Sequence, residues 1–491
     1  MSSRPINRVA VVGTGPSGAI AVDALVQEGA FDVVRVFERQ ERAGGNWVSR
    51  ENEQAEPLDI DNLSSRTADK PVEIPDNLPR YAPALAVHRY TDSHIYPGLH
   101  TNVDASVMEY SGAQERIPEI RSDWSVGLHG PDTPFRHHRV ICQYVEDLLN
   151  RNGYQDLVEY NTTVERAVKD TRTNTWVLTL RRAGKEGKLD YWWTETFDAL
   201  VVASGHYHVP YVPPIPGLKE FAQRYPRSVE HAKQYRGPKK YQGKKVVTIG
   251  ASVSAADTAV SLINSARSPI YAVVRGKYNV YFGDEAFKHP QIERRPPISH
   301  IESEDGARTV HFEDGTSVSD VDHLIFGTGF SWTLPFLPNI PIRNNRVPDL
   351  YLHIFHQSDP TLVFLGAVGA GLTFKVFEWQ AVAAARVLAG KSTLPPLSTQ
   401  KKWEEDRIAV KGDAAGFLMV YPDFELYFEQ LRELAGEPGE GQPGRRLPPF
   451  EQAWPDEFAA GHQRRIRMWK RANDAARAAQ DATAASNKSN L

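Results

Sequence analysis

The sequence predicts an α/β fold in which one doubly wound parallel-sheet domain is inserted into another. Residues 9–39 and residues 245–276 each show an apolar strand, a small-residue turn, an amphipathic helix and a second apolar strand. After each unit the chain reaches a further apolar strand that ends in a small-residue turn, at 199–207 and at 323–331. Because the two units are far apart in the chain, insertion of one domain into the other is the simplest arrangement.

Length and composition limit the classes of function. The chain has 491 residues, a formal net charge of -4, 41% hydrophobic and 24% charged residues. This length suits two or three domains, and the composition gives no indication of nucleic-acid binding. The N-terminal sequence MSSRPINR lacks the apolar core of a secretory signal, and no apolar run approaches the roughly 20 residues that cross a bilayer. We therefore expect a cytoplasmic protein without a transmembrane segment.

The first turn carries a dinucleotide-binding pattern. Gly13, Gly15 and Gly18 follow a strand and open a helix that starts with Pro16 and Ser17. Gly13 permits the tight turn, Gly15 lets the backbone approach a pyrophosphate, and Gly18 lets the helix and strand pack closely. The diphosphate is expected at the N-terminus of this helix, where free amides and the helix dipole favour an anion.

The next strand ends at Glu38, followed by Arg39. An acid at this position accepts hydrogen bonds from both hydroxyls of an adenosine ribose and repels a 2′-phosphate, which predicts FAD or NAD rather than NADP. The segment 41–49 then supplies Gly44 and Gly45, with Asn46 and Trp47 directly behind them. A plain NAD dehydrogenase has no need of this segment, so it favours FAD.

The second turn is predicted to bind a different dinucleotide. It contains Gly250, Ser252, Ser254 and Ala255, whose amides and hydroxyls can bind phosphate. At the end of the following strand, where the first unit has an acid, the chain has the cations Arg275 and Lys277. Two cations fit a 2′-phosphate, so this unit is expected to bind NADPH.

Two dinucleotide sites predict a flavoprotein that passes electrons from NADPH to FAD. The single cysteine, Cys142, excludes the disulfide reductases, which need a dithiol beside the flavin. Oxygen then becomes the leading electron acceptor. No Cys/His spacing predicts a metal site, and the adjacent His137 and His138 are interpreted as structural residues on or beside a helix.

These motifs together resemble the class B flavin monooxygenases, and among them the flavin-containing monooxygenases that oxygenate nitrogen and sulfur. The resemblance covers residues 9 to about 390 and includes both turns and the segments 135–144, 201–213, 321–330 and 360–381. The signature of the family, FxGxxxHxxx(Y/F), aligns with YPRSVEHAKQY at 225–235, where His231 and Tyr235 fit the pattern. Tyr225 replaces the Phe and Arg227 replaces the Gly.

The resemblance implies roles for further residues. Asn102 is expected over the flavin ring as the catalytic residue that helps to hold the oxygenated flavin. Tyr207 is expected to line the junction of the two cofactors. The other cofactor-binding residues that it implies are Thr101, Val164, Ser204, Gly205, Gly329, Leu372 and Thr373.

The resemblance also implies a reaction. Reduced flavin adds O2 to give a C4a-hydroperoxyflavin, which transfers one oxygen atom to a soft nucleophilic nitrogen or sulfur of a small organic substrate, with an alkaloid-like amine as one example. The cofactor carries this chemistry, and the protein supplies orientation and a dry site. The segment 50–100 is the expected specificity-bearing insertion. The expected partners are the substrate and O2, and the chain is compatible with a homodimer.

Three alternatives remain. A Baeyer–Villiger monooxygenase acting on ketones shares both turns, but its signature usually ends in Trp where this chain has Tyr235. An NADPH oxidase and a non-catalytic flavin-binding regulator are the other two.

The motifs also predict domain boundaries, with a proline cluster at 209–217 as a linker and an Ala- and Arg-rich surface helix near the end. We expect residues 1–212 and 331–455 to form the two segments of an FAD-binding domain. Residues 213–330 are expected to form the inserted NADPH-binding domain, and residues 456–491 a C-terminal helix and polar tail.

Overall fold

A computed structural model describes residues 5–50, 57–112, 115–184, 187–369 and 371–489, and it confirms the α/β fold class. The larger sheet has seven strands. The first strand of the chain, Arg8–Val12, pairs in parallel with Val33–Phe37 on one side and Ala199–Val202 on the other. From edge to edge its strands are Leu350–Tyr351, Phe355–His356, Leu362–Phe364, Ala199–Val202, Arg8–Val12, Val33–Phe37 and Val158–Glu159.

The second sheet has five strands, all parallel, and its strands come from the chain between two strands of the larger sheet. In spatial order they are Val229–His231, His323–Phe326, Val246–Ile249, Ile270–Val273 and Ile292–Arg295. One sheet is therefore inserted into the other along the chain. The exact domain boundaries stay a prediction.

Three smaller antiparallel sheets complete the strand content. The two passages between the large sheets, Val209–Pro210 and Phe330–Ser331, pair with each other. The second small sheet consists of Arg80–Pro83, Leu189–Phe197, Thr175–Arg182 and Thr162–Asp170, and the third of Ile298–Glu302, Thr309–Phe312 and Ser317–Val318.

The α-helices cover the sheets, and none in the described residues is long and apolar enough to cross a membrane. They are Pro16–Glu28, Ile60–Ser64, Asp123–His129, His138–Arg151, Leu218–Arg224, Val253–Ser261, Thr373–Leu388, Leu397–Lys411, Ala415–Leu418, Phe424–Ala435 and Ala453–Ser489. Pro16–Glu28 packs against Thr373–Leu388, and apolar side chains of both lie in the core on one face of the larger sheet.

The C-terminal helix differs from the sequence prediction of a surface helix with a polar tail. It begins at Ala453 and stays helical to Ser489. Trp454, Phe458 and Trp469 on it are buried. The aromatic residues of its first half pack against the rest of the protein, which the local sequence pattern did not indicate.

A buried ion cluster joins the helices Pro16–Glu28 and Thr373–Leu388. Arg445 donates from Nε to Glu378 (2.6 Å), from one terminal nitrogen to Asp23 (2.5 Å) and from the other to the Ser111 carbonyl (2.7 Å). Asp23 lies on Pro16–Glu28 and Glu378 on Thr373–Leu388, and both carboxylates are inaccessible to water. Arg445 therefore compensates two buried charges at once.

Replacing Arg445 with Ala leaves these carboxylates buried without their cation. We expect Arg445→Ala to lower the free energy of unfolding by about 3–5 kcal/mol. Urea unfolding followed by circular dichroism measures it. Arg446→Ala, which changes the exposed neighbour, is the matched control, and equal unfolding midpoints for the two variants would contradict the role of the cluster.

Candidate active site

A cavity of about 640 Å³ is lined by residues from both small-residue turns. The structure thus brings together sequence-predicted residues that lie far apart in the chain. Those that line the cavity are Gly13, Gly15, Pro16, Ser17, Glu38, Arg39, Gly45, Asn46, Trp47, Asn102, Val164, Ser204, Gly205, Tyr207, Ser252, Ser254, Gly329 and Thr373.

The first turn leaves no room for side chains. A Cβ on Gly18 would lie 1.9 Å from the carbonyl oxygen of Gly13, and one on Gly45 would lie 2.7 Å from the Cα of Gly15. Gly13 and Gly45 also have positive φ, +100° and +56°, a region that favours glycine. The backbone of two loops therefore meets at the N-terminus of Pro16–Glu28, and the space beside it fits a diphosphate rather than side chains.

Glu38 is fixed at the cavity edge by the same turn. Its Oε2 accepts hydrogen bonds from the amide and the hydroxyl of Thr14, both at 2.8 Å, and its Oε1 accepts one from the amide of Gln40 at 2.8 Å. A carboxylate has about four lone-pair positions, so one on Oε1 is left for a ribose hydroxyl. The residue is 4% exposed, and its charge opposes a phosphate at this end.

The second turn is built in a similar way. Gly250 has a φ of +133°, and a Cβ there would lie 2.4 Å from the carbonyl oxygen of Gly327. Ser252 is the N-cap of Val253–Ser261, but its side chain makes no capping hydrogen bond. Its hydroxyl instead accepts a hydrogen bond from the Asn279 side chain at 3.2 Å. The amides of this helix N-terminus thus face the cavity without a side-chain cap.

The predicted residues that are not among the described residues lining the cavity include Gly18, Thr101, Arg275, Lys277 and Leu372, as well as Gly250 and Ala255 of the second turn. Thr101 is buried, and its hydroxyl donates to the Val103 carbonyl (2.9 Å) and accepts from the Arg136 amide (3.1 Å). It therefore shapes the turn that presents Asn102. Leu372 is the buried N-cap of Thr373–Leu388.

Arg275 and Lys277 lie outside the cavity on the surface. Both side chains are exposed, and among the described residues neither has a hydrogen-bond or ion-pair partner. Free cations beside the end of the strand Ile270–Val273 suit a 2′-phosphate whose nucleotide enters the cavity at the second turn. Their role stays a prediction.

Buried histidines form part of the cavity wall, and the sequence analysis did not single them out. His206 and His208 flank Tyr207, and both line the cavity. Burial lowers the pKa of His206 to about 3 and that of His208 well below its ordinary value, so both rings are neutral near pH 7. Nδ1 of His206 is buried without a partner among the described residues. One indication of their role was present in the sequence, because both lie directly beside Tyr207, which was predicted to line the junction of the cofactors.

The family signature lies behind the cavity rather than in its wall. His231 is buried, its Nδ1 accepts a hydrogen bond from the Lys233 amide (3.1 Å), and its ring meets Phe330 edge-on. Tyr235 is buried against Ser261, 2.5 Å from hydroxyl to hydroxyl. Arg227, which replaces the family glycine, is exposed and has a φ of +66°. Glycine suits that conformation, so the departure places strain on a surface turn.

The two adjacent histidines have structural surroundings. Nε2 of His137 lies 2.8 Å from the Pro97 carbonyl, and its Nδ1 accepts from the Arg139 amide at the start of His138–Arg151. The His138 ring is buried beside that of His137, and neither of its nitrogens has a hydrogen-bond partner among the described residues. The described portion of the chain contains no group of three or more His, Cys, Asp or Glu residues that could hold a metal ion.

Comparison with known proteins gives the class. Residues 118–281 and 298–435 match the family described as flavin-binding monooxygenase-like, and residues 11–70 match an NAD(P)-binding Rossmann-like domain. Flavin-containing monooxygenase ustF2 of Aspergillus flavus is 29% identical over 474 residues, covering 88% of this chain and 92% of that protein. The chain belongs to the flavin-binding monooxygenase-like family.

Solved structures share the fold. The S-allyl-L-cysteine S-oxygenase from Allium sativum has a TM-score of 0.71 at 24% identity, covering 94% of this chain and 93% of its own. The open form of cyclohexanone monooxygenase has a TM-score of 0.54 at 14% identity, covering 90% and 99%. By its family the protein is a flavoprotein monooxygenase whose cofactors are FAD and NADPH.

The exposed Arg275 leads to a prediction about the preference for NADPH over NADH. Arg275→Ala should raise the KM for NADPH by about tenfold and leave that for NADH within about twofold, because only NADPH loses a charge-assisted contact. Steady-state kinetics with both cofactors measures this. Arg267→Ala, another exposed arginine of the same domain, should change neither KM, and equal effects of Arg275→Ala on both cofactors would remove the assignment.

Proposed function

We propose that the protein transfers one oxygen atom from O2 to a soft nucleophilic nitrogen or sulfur of a small organic substrate, with FAD and NADPH as cofactors. An N-oxide, S-oxide, hydroxylamine or nitrone is the product. Reduced flavin supplies the activated oxygen when it is bound, and the protein orients the reactants and excludes water.

The charge of the cavity wall is the observation that carries this proposal. Among the described lining residues the permanent cations are Arg39 and Arg89. Arg89 is ion-paired with Asp69 (2.9 Å) and Glu165 (2.6 Å). Arg39 donates to the Arg89 carbonyl (3.1 Å) beside these carboxylates. Arg89 is thus compensated by two ion pairs, while Arg39, which has no ion pair among the described residues, lies near the carboxylates of Glu38, Asp69 and Glu165.

That distribution bears on the type of oxygen transfer. Transfer to a ketone carbonyl requires the reacting oxygen to be held as an anion, which a free cation in the site would stabilise. Transfer to an amine or sulfide needs a neutral, electrophilic oxygen. The cavity wall, with compensated arginines and neutral buried histidines, supports the second type.

Asn102 is the proposed catalytic residue. It lines the cavity on a turn in which the Thr101 hydroxyl donates to the Val103 carbonyl and accepts from the Arg136 amide of a second segment. Its amide can donate and accept hydrogen bonds without bringing a charge. We propose that its amide would hydrogen-bond to the bound flavin and so help to couple NADPH consumption to oxygen transfer. The other cavity residues predicted from the sequence are proposed to bind FAD and NADPH.

The cytoplasmic location and the homodimer stay predictions. Light scattering on the purified holoenzyme would establish its oligomeric state.

The reaction type can be tested with a panel of secondary and tertiary amines, sulfides and ketones, each supplied with O2 and NADPH. Product masses should show oxygen added to nitrogen or sulfur, because the described cavity wall lacks a free cation for an anionic oxygen. Esters or lactones from ketones alone would establish the Baeyer–Villiger alternative instead. NADPH consumption that gives only peroxide with every compound would identify an oxidase.

The role of Asn102 predicts a loss of coupling. Asn102→Ala should leave FAD bound and reducible but lower the ratio of product to NADPH consumed by about tenfold or more. Product analysis, NADPH absorbance and a peroxide assay together give that ratio. Asn150→Ala, an exposed helix position, is the control and should leave the ratio at the wild-type value. An unchanged ratio in Asn102→Ala would show that Asn102 serves only as a residue of the turn and not in catalysis.

A further inference from the structure

The C-terminal helix, Ala453–Ser489, packs directly against the segment that follows Asn102. A Cβ on Gly461 would lie 3.2 Å from the amide nitrogen of Asp104. The Ser106 hydroxyl donates to the Glu457 carboxylate at 2.5 Å. The helix therefore touches the chain only a few residues beyond the proposed catalytic residue.

The same helix also holds the inserted domain. Arg465 is ion-paired with Asp257 of the helix Val253–Ser261 at 2.5 Å. Further along, the Trp469 ring meets Phe282 edge-on at 5.2 Å. The helix thus bridges the two sides of the cavity. It lies beyond residue 435, where the match to the family ends.

Between these two sets of contacts the helix contributes to the cavity wall. Phe458 and His462, one turn apart, both line the cavity, as does Tyr281 from the inserted domain. The Tyr281 ring lies 5.0 Å from each of their rings. Tyr281, Phe458 and His462 thus form an uncharged aromatic wall, and Phe374 and Phe377 also line the cavity.

His462 has an unused hydrogen-bond acceptor. Its Nδ1 lies 2.8 Å from the Phe458 carbonyl, and since a carbonyl only accepts, Nδ1 carries the hydrogen. Burial lowers the pKa of the ring, so the second nitrogen, Nε2, is unprotonated near pH 7. Among the described residues the His462 side chain makes one hydrogen bond, through Nδ1, and Nε2 makes none. A neutral imidazole with a free lone pair is thereby held in an aromatic wall.

We propose that the aromatic wall binds the substrate and that His462 Nε2 accepts a hydrogen bond from it. The favoured substrate is an uncharged molecule with an apolar, preferably aromatic body, which carries an O–H or N–H donor in addition to the nitrogen or sulfur that is oxygenated. This rests on the proposed oxygenation. The aromatic rings supply contact area and exclude water, while the single acceptor sets orientation. An anionic group has no cationic partner among the described residues of this wall, so anionic substrates are disfavoured.

A pair of aryl sulfides tests the proposal. Methyl p-tolyl sulfide and 4-(methylthio)benzyl alcohol share the apolar body and the sulfur, but only the alcohol has a donor. His462→Phe keeps an aromatic ring and removes the acceptor. It should lower kcat/KM for the alcohol by about 3- to 10-fold and that for the tolyl sulfide by less than about 2-fold. Gln463→Phe, the next and exposed residue of the helix, is the control and should change neither.

A binding measurement makes the outcome independent of turnover. The dissociation constants of both sulfides for the oxidised holoenzyme, followed by the flavin absorbance, should show the same selective loss for the alcohol. His462→Gln, which retains an acceptor, should restore some of the lost affinity. If His462→Phe loses FAD, His462→Leu, which also removes the acceptor, replaces it.

Equal losses of affinity for both sulfides would overturn the proposal. It would also be overturned if His462→Phe raised the KM for NADPH and left both sulfides unaffected, because the aromatic wall would then bind the nicotinamide. If the wild-type enzyme oxygenates neither sulfide nor any amine, the proposed function fails. The binding data still decide whether the alcohol depends on His462.

Discussion

The approach of two glycine loops at the first turn is the constraint on which the site depends. Gly18 packs against the Gly13 carbonyl, and Gly45 packs against the Cα of Gly15, at distances that exclude any side chain. The helix Pro16–Glu28 can therefore begin a few residues after the strand Arg8–Val12, with its N-terminus on the cavity. Helix, strand and acidic Glu38 are held in one arrangement because the backbone itself makes the contact.

The cavity has a charged region and an aromatic region. At one end the buried Glu38 and the ion pairs of Arg89 form a polar region. Away from it the wall is aromatic, and His206 and His462 have lowered pKa values because they are buried. This separation suits a reaction in which an oxygen atom passes to a neutral heteroatom away from water. The Arg445 cluster ties together the helices Pro16–Glu28 and Thr373–Leu388, which both begin at the cavity.

The sequence predicted the features that depend on residues close together in the chain. Each glycine or serine turn, its strand and its helix lie within about thirty residues, and the fold class followed from the order of these units. Asn102 and Tyr207 were located by resemblance, and the structure brings both to the cavity although their roles stay predictions. Phe458 and His462 were missed because their position depends on the packing of Gly461 on Asp104, a contact across more than 350 residues. The polar segment at the end of the chain is exposed over residues 481–486 as expected for a tail, but it is helical, since the helix runs on to Ser489.

If one oxygen atom of O2 reaches a soft heteroatom bound in this cavity, isotope labelling will show it. Incubation of the holoenzyme with an aryl sulfide, NADPH and ¹⁸O₂, followed by mass spectrometry, is the most direct test. We predict a sulfoxide that carries a single ¹⁸O atom. A sulfoxide with only ¹⁶O, or labelled hydrogen peroxide without any oxygenated product from sulfides or amines, would contradict the proposed oxygen transfer.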